Sequence, residues 1–149
     1  MNIKKITKTI TKTEKSLSAL PLRLIAGLIF TAHGAQKLFA WFGGYGLTGT
    51  GQWMESIGLA PGYLMALMAG SAEFFGGLLL IIGFLTRPTS FVLAVTMIIA
   101  IFSVHISNGL FMSNNGYEFA LTLFAMSISL MFSGAGKLSV DNLIAKRLS

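Results

Sequence analysis

Long apolar stretches alternate with short polar or glycine-rich segments along the whole chain. A helix needs about 20 apolar residues to cross a hydrocarbon core about 30 Å thick. We predict four such helices in one all-α domain that covers residues 1–149, with no change of composition that would divide it. The expected fold is an integral membrane four-helix bundle with spans at residues 20–42, 63–84, 88–106 and 117–132.

The segments that connect and follow these spans predict two further short helices. Residues 43–62 are rich in glycine, and Thr50 is a candidate N-cap of a short external interfacial helix that carries Trp53. Pro88 is predicted at the first position of the third span, where a missing N–H has no cost. After the fourth span, Ser139 is a candidate N-cap of a C-terminal amphipathic helix on the membrane surface, with a frayed tail as the alternative.

The composition agrees with a membrane protein and narrows its chemistry. Hydrophobic residues make up 54% of the chain and charged residues 11%, whereas soluble domains average about 25% charged. The chain has no cysteine, which excludes disulfides, thiolate metal sites and iron–sulfur clusters held by this polypeptide alone. Any electron transfer would therefore need a bound cofactor or another subunit.

The distribution of the positive charge predicts the orientation. The net charge is +6, but the basic residues flank the apolar stretches, so they indicate contact with a lipid bilayer and not with nucleic acid. Ten of the eleven Lys and Arg residues fall on one side, and only Lys37 lies toward the other. Because cytoplasmic flanks retain positive charge, both termini are predicted to be cytoplasmic. Aromatic residues then collect at the external interface: Trp41, Tyr45, Trp53 and Tyr63.

Ionisable residues inside the predicted spans are the main candidates for function, since each costs about 2.5–3.5 kcal/mol on insertion scales. His33 and Lys37 lie one turn apart on the first helix, with Gln36 adjacent. Glu73 lies near the middle of the second helix. At 1.5 Å per residue, Glu73 is about 15 Å and His33 about 14 Å from the external ends of their helices, so they share one level.

A second polar layer is predicted closer to the external surface. Lys37, His105 at the outer end of the third helix and Glu118 at the start of the fourth would form it. His105 and Glu118 are near the interface, where hydration lowers the cost of a charge, so a purely structural role is equally consistent. Arg23 and Arg87 are predicted to anchor the opposite, inner surface.

Two interpretations of this cluster stay open. Glu73 either neutralises Lys37 or His33 in a buried pair that sets the register of the helices, or it belongs to a functional site. Two histidines without other ligands do not define a metal site, and haem ligation by His33 or His105 stays open. No phosphate-binding loop, dinucleotide fingerprint or nucleophile elbow is present.

Four motifs in this order resemble a known family. They are HGAQKL after Arg23, EFFGGLLLIIGFLTRP beginning at Glu73, NNGYEFAL beginning at Asn114, and GAGKLSVD beginning at Gly134. Over nearly the whole chain the sequence resembles the DoxX family of small bacterial four-helix inner-membrane proteins. This resemblance implies a relation to the quinone-reducing membrane subunit of thiosulfate:quinone oxidoreductase, and to responses to oxidative stress. The positions that this resemblance identifies as shared with the family motifs are Arg23, His33, Gly34, Lys37, Glu73, Gly77, Gly83, Arg87, Glu118, Gly136, Ser139 and Asp141.

The expected function is that of a quinone-associated membrane redox subunit. Glu73, His33 and Lys37 are the predicted catalytic residues, which would hydrogen-bond a quinone carbonyl and move its protons. A soluble or membrane redox partner would supply electrons, and a homo-oligomer is expected from the thin core. The alternative is a non-enzymatic small-molecule transporter or a membrane scaffold. The predicted cofactor-binding residues are His33, Gln36, Glu73, Phe30, Phe74, His105 and Glu118.

Overall fold

All regular structure in the described part of the chain is helical, which confirms the predicted class. The computed structural model describes residues 3–13 and 16–147, so the two ends of the predicted domain, residues 1–2 and 148–149, lie outside the described residues. Seven α-helices are seen in these ranges: α1 (Ile3–Ile10), α2 (Ala19–Phe39), α3 (Gly46–Ser56), α4 (Gly62–Ile82), α5 (Thr86–Ala100), α6 (Glu118–Ser133) and α7 (Val140–Arg147).

Among the described residues, two helices are long and apolar enough to cross a membrane by length and composition. One is α4, and the other is α5 together with the helical turns that extend it to Asn108. Helix α6 is apolar but has 16 residues. Helix α2 has 21 residues, but its Arg23, His33 and Lys37 lower its hydropathy. Of the four predicted spans, α2 is therefore too polar and α6 too short to be recognised as membrane-spanning from length and composition alone.

Several helices begin or end at residues other than those predicted, because of local backbone geometry. The first predicted span extends to residue 42, but α2 ends at Phe39 because Ala40 adopts the left-handed conformation (φ 59°). Helix α5 begins at Thr86, so Pro88 is its third residue and not its first. Pro88 still lies in the first turn, where backbone N–H groups have no partner within the helix.

The connecting segments also differ from the prediction. The helix expected after Thr50 is present as α3, but it begins four residues earlier, at Gly46, and Thr50 is a buried residue in its interior. Helix α1 was not predicted at all. Its Ile3, Ile6 and Ile10 have helical spacing, and this was the signal for it within a segment otherwise dominated by lysine and threonine.

Helices α2 and α4 pack backbone against backbone along a seam of four glycines. Gly27 faces Gly77 and Gly34 faces Gly70, so the two helices are antiparallel. A methyl group added at Gly34 would lie 2.3 Å from the backbone nitrogen of Phe74. No side chain fits between the helices at these positions, and this close contact brings their polar residues together.

The remaining core joins α2 and α4 to a second helical pair, α5 and α6. Leu93 of α5 is fully buried and lies against Gly76 of α4. In contrast, many large apolar side chains on the outer faces are exposed, as expected for surfaces in contact with lipid. The buried core consists of Ala19, Ala26, Phe30, Leu80, Leu93, Met97, Ile101, Ala120, Leu123 and Leu130.

Arg23 forms hydrogen bonds to several segments at the end of the molecule where α1, the α4–α5 turn and α7 meet. We call this end the terminal end. Its side chain is buried, and Nε donates to the carbonyl oxygen of Ala135 at 3.1 Å. Nη1 donates to the carbonyl oxygens of Leu80, at 3.2 Å, and Ile81. Nη2 donates to the carbonyl oxygen of Leu138. The predicted role of a surface anchor is therefore wrong for Arg23, which cross-links α2, α4 and the segment before α7.

Asp141 of α7 caps the start of α5. Its carboxylate oxygens accept hydrogen bonds from the backbone N–H groups of Leu85 and Thr86, both at 2.9 Å. The predicted N-cap Ser139 is confirmed, because its Oγ accepts the N–H of Asn142 at 3.1 Å and α7 follows directly. The segment after α6 is thus an ordered part of the terminal end.

The segment after α1 docks at the same place. Arg87 donates from Nε to the carbonyl oxygen of Lys12 at 2.7 Å and from Nη1 to that of Met131 at 3.0 Å. The N–H of Lys137 donates to the carbonyl oxygen of Ser16 at 2.8 Å. The segment after α1 and the segment before α7 therefore lie together at one end of the helices, opposite α3.

Candidate functional site

A buried ion pair joins α2 and α4. Nζ of Lys37 lies 2.6 Å from Oε2 of Glu73 and donates a hydrogen bond to it. Glu73 is 4% exposed, while the Lys37 side chain is 23% exposed. Of the two predicted partners of Glu73, the structure therefore shows Lys37 and not His33.

The antiparallel glycine seam explains why these two residues meet. The seam places Lys37 beside Gly70, almost one turn away from Glu73 along α4. Side chains on a helix lean toward its N-terminus, so Lys37 leans away from α3 and Glu73 leans toward it. The long lysine side chain therefore closes the gap between the two levels.

The ion pair stands in the wall of a cavity of about 1260 Å³ that α2, α3, α4, α5 and α6 enclose. Most of the lining is apolar, with Phe30, Met97 and Phe119 among the larger side chains. The predicted residues that line it are Phe30, His33, Gln36, Lys37, Glu73 and His105. The structure therefore brings together all three predicted catalytic residues and most of the predicted cofactor-binding residues.

His33 lines the cavity without joining the ion pair. Its ring lies against that of Phe119 on α6, with the ring centroids 5.7 Å apart and the planes tilted by 49°. Within residues 3–13 and 16–147, the structure shows no hydrogen bond from its ring nitrogens to the protein. The imidazole is thus held by packing and leaves polar atoms available to a ligand.

Phe74 lies outside the cavity, contrary to the prediction. Its ring packs edge-on against Phe39 at 5.1 Å and against Phe75 at 5.2 Å. Phe74 follows Glu73 directly in α4, and a step of 100° turns it toward a different face of the helix. Phe30 of α2 and Phe119 of α6 supply the aromatic surface instead.

The predicted second layer of Lys37, His105 and Glu118 does not form. Nδ1 of His105 lies 2.8 Å from the carbonyl oxygen of Asn115. Oε1 of Glu118 accepts the N–H of Met112 at 2.6 Å and is not part of the cavity lining. Both side chains bind backbone groups of the loop between α5 and α6, because this loop folds back over the start of α6.

Helix α3 contributes residues that the sequence analysis missed. Thr50, Gln52, Trp53 and Met54 all line the cavity, so α3 covers its end. The apolar residues Trp53 and Met54 next to several glycines are the available signal, but this pattern predicts only an interfacial helix. Among the residues described, no group of three or more His, Cys, Asp or Glu side chains is placed to hold a metal ion.

The helical fold and its apolar outer faces agree with a membrane protein, and comparison with known proteins identifies the family. The chain belongs to the DoxX family, whose model matches residues 18–106. It is 35% identical over 130 residues to the Bacillus subtilis protein named "Putative oxidoreductase CatD", covering 87% of this chain and 89% of that one. No solved structure gives a significant match.

Two further relatives cover similar lengths. The inner membrane protein YqjF of Escherichia coli is 30% identical over 142 residues, covering 91% of this chain and 98% of its own. A protein of Haemophilus influenzae named only as uncharacterized is 34% identical over 133 residues, covering 85% and 90% respectively. The resemblance drawn from the four motifs is therefore confirmed, and the family is one of membrane proteins.

Proposed function

We propose that this protein is a multi-pass inner-membrane protein in which α2, α4, α5 and α6 cross the bilayer and both termini are cytoplasmic. The polar side chains of α2 lie against the cavity and the terminal end, while Leu28 and other apolar residues are exposed. Helix α6 spans about 24 Å, a shortfall that local thinning of the bilayer accommodates. Arg87, Lys137 and Lys146 lie at the terminal end, which supports a cytoplasmic position for that end.

Reporter fusions test this topology. A reporter that is active only in the cytoplasm should be active when fused after Ser149 and silent when fused near Gln52 of α3. A reporter that is active only outside the cytoplasm should give the opposite result at both positions. Activity of the cytoplasmic reporter near Gln52 would overturn the proposed orientation.

We further propose that the cavity binds a quinone and that the protein acts as a quinone-associated redox subunit. The observation that carries this proposal is the buried pair of Lys37 and Glu73 in the wall of a large, mostly apolar cavity. Burying an ion pair in such a place costs free energy, so its presence indicates a functional role. The relative CatD is named as an oxidoreductase, which supports the same class of function.

The residues in the cavity fit a quinone. Its carbonyl oxygens accept hydrogen bonds, and the Lys37 ammonium and the Gln36 amide are donors in the lining. Phe30 and Phe119 offer apolar surface to a flat ring. Ligand sites commonly measure about 300–1000 Å³, so a cavity of about 1260 Å³ has room for a ring with a substituent. A bound quinone would supply reversible two-electron, two-proton carrier chemistry.

The protein's own groups would handle protons and exclude water. The Glu73 carboxylate can accept and release a proton, and Lys37 fixes its position by donating a hydrogen bond to Oε2. The His33 imidazole, which has two ring nitrogens, offers a second proton site in the same wall. The chain has no cysteine to exchange electrons, so the electrons would come from a soluble or membrane redox partner.

The proposal is tested with protein purified from membranes in mild detergent. Solvent extraction and ultraviolet absorbance detect bound quinone, and the visible spectrum of the same sample detects haem. Titration with decylubiquinone then gives a Kd for the wild type and for the variants Glu73→Gln and His33→Ala. We expect a roughly tenfold to hundredfold rise in Kd in either variant, a cost of about 1–3 kcal/mol. Glu73→Gln removes the carboxylate that positions the Lys37 donor, and His33→Ala removes the ring nitrogens that are available to a ligand.

Glu55→Gln is the matched control. Glu55 lies on the surface of α3 outside this cavity, and a glutamine there can still accept the N–H of Gly62. The Kd of the Glu55→Gln variant for decylubiquinone should equal that of the wild type. If folded wild-type protein binds no quinone, the redox proposal fails and a small-molecule transporter or membrane scaffold becomes the better interpretation.

A further inference from the structure

The cavity has an opening along its side, between α4 and α5. The two helices touch where Gly76 meets Leu93: a methyl group added at Gly76 would lie 3.2 Å from Cδ2 of Leu93. On the α3 side of this contact, both helices line the cavity. Met68 of α4 and Ile99 of α5 line the cavity and are also more than half exposed, so the cavity reaches the outer surface between the two helices.

The residues along this opening are both part of the lining and exposed. All of the large ones are apolar, and we call this set the apolar fissure: Met68 of α4 and Val95 and Ile99 of α5. In the part of the chain that the structure describes, α4 and the extended α5, which continues to Asn108, have the length and composition to cross a membrane. The apolar fissure therefore faces hydrocarbon and not water.

The cavity thus has a polar inner part and an apolar outer part. Lys37, Glu73 and His33 lie on the inner side, against α2 and α4, whereas the fissure residues lie on the outer face. A ligand with a polar ring and a long apolar tail matches this arrangement, because the tail can leave through the fissure without crossing a polar surface. A small water-soluble ligand would need no such opening.

We propose that the apolar fissure is a lateral entrance from the bilayer, and that it holds the isoprenoid tail of a lipid-soluble quinone whose ring lies near Lys37 and Glu73. This inference rests on the proposed quinone-binding function and narrows the substrate class to quinones with a tail. The tail gains little free energy from leaving lipid for the fissure, since both are apolar. The role of the fissure is to let a ring with a tail reach its site.

Two neighbouring isoleucines of α5 provide a matched test. Ile99 is 51% exposed and lines the cavity, whereas Ile98 is 41% exposed and does not. We expect Ile99→Trp to fill the fissure and Ile98→Trp to add a side chain on a free lipid-facing surface. Each variant is titrated with two probes: decylubiquinone and the same dimethoxybenzoquinone ring without a tail.

The expected result separates ring from tail. Ile99→Trp should raise the Kd of decylubiquinone about tenfold or more, because the indole occupies the space that the tail needs. The same variant should leave the Kd of the tail-free ring within about twofold of the wild-type value. Ile98→Trp should change neither. Retained binding of the tail-free ring also shows that the variant is folded.

The contrary outcomes are distinct. If Ile99→Trp leaves the Kd of decylubiquinone unchanged, or weakens both probes equally, the lateral entrance is wrong while quinone binding stands. An equal loss of decylubiquinone in Ile98→Trp would also overturn the assignment of the fissure. If folded wild-type protein binds neither probe, the proposed function fails and this inference fails with it.

Discussion

The ion pair between Lys37 and Glu73 should couple the two residues energetically. The perturbations are Lys37→Met, Glu73→Gln and the double variant. Lys37→Met leaves a carboxylate that is 5% exposed with no cation beside it, and breaking a buried pair in this way costs about 3–5 kcal/mol. Glu73→Gln leaves an ammonium on a side chain that is 23% exposed, which water in the cavity can reach, so we expect about 1–3 kcal/mol.

The double variant removes both charges and leaves neither one unpaired. It should therefore lose no more stability than Lys37→Met alone, which corresponds to a coupling of about 1–3 kcal/mol. The size of this coupling follows from the Nζ–Oε2 distance of 2.6 Å and from the burial of Glu73. A pair of this geometry on a solvated surface would give about 1 kcal/mol or less.

The assay is equilibrium unfolding in mixed detergent, followed by circular dichroism, for the wild type and the three variants. A second cycle that combines Glu73→Gln with Glu55→Gln serves as the control. Glu55 binds the N–H of Gly62, which lies roughly 16 Å along α4 from Glu73, so these two changes should be additive. Additive losses within about 0.5 kcal/mol in the Lys37 cycle would refute the coupling.

Two further predictions concern stability. Gly34→Ala places a methyl group 2.3 Å from the backbone nitrogen of Phe74, so it should destabilise the protein by about 1–3 kcal/mol or more; an unchanged thermal midpoint in detergent would contradict the glycine seam. Asp141→Ala leaves the N–H groups of Leu85 and Thr86 without their acceptor, so it should lower the free energy of unfolding by about 1–3 kcal/mol and speed amide exchange at both residues. Asp141→Asn retains one acceptor oxygen and should cost less; equal losses of stability in the two variants would contradict the capping role.

The helices themselves could largely be predicted from the sequence. The predicted spans at residues 63–84 and 117–132 agree within two residues with α4 and α6, because long apolar runs with glycine and proline boundaries determine them locally. The depth count places Glu73 level with His33 and puts Lys37 in a layer closer to the external surface, whereas the structure pairs Glu73 with Lys37. The count uses backbone positions and ignores the lean and reach of the side chains.

The contacts of the terminal end could not be predicted in the same way. Arg23 has the sequence context of an interfacial anchor, and only the tertiary arrangement brings the carbonyl groups of Leu80 and Ala135 to its guanidinium. Likewise Asp141 has no local partner, since the amides that it binds belong to another helix. The sequence predicts a shared layer for Glu118 and His105, because the folded shape of the loop between α5 and α6, whose backbone binds both side chains, depends on tertiary contacts.

The capping of α5 by Asp141 has a consequence for how the protein is made. The carboxylate binds an amide that lies 56 residues earlier in the chain, at Leu85. At a synthesis rate of about 5–20 residues per second, the first turn of α5 waits roughly 3–11 seconds for this partner. During that interval water or lipid headgroups must satisfy those amides. The turn between α4 and α5 therefore takes its final form late in biogenesis, after α6 has been synthesised.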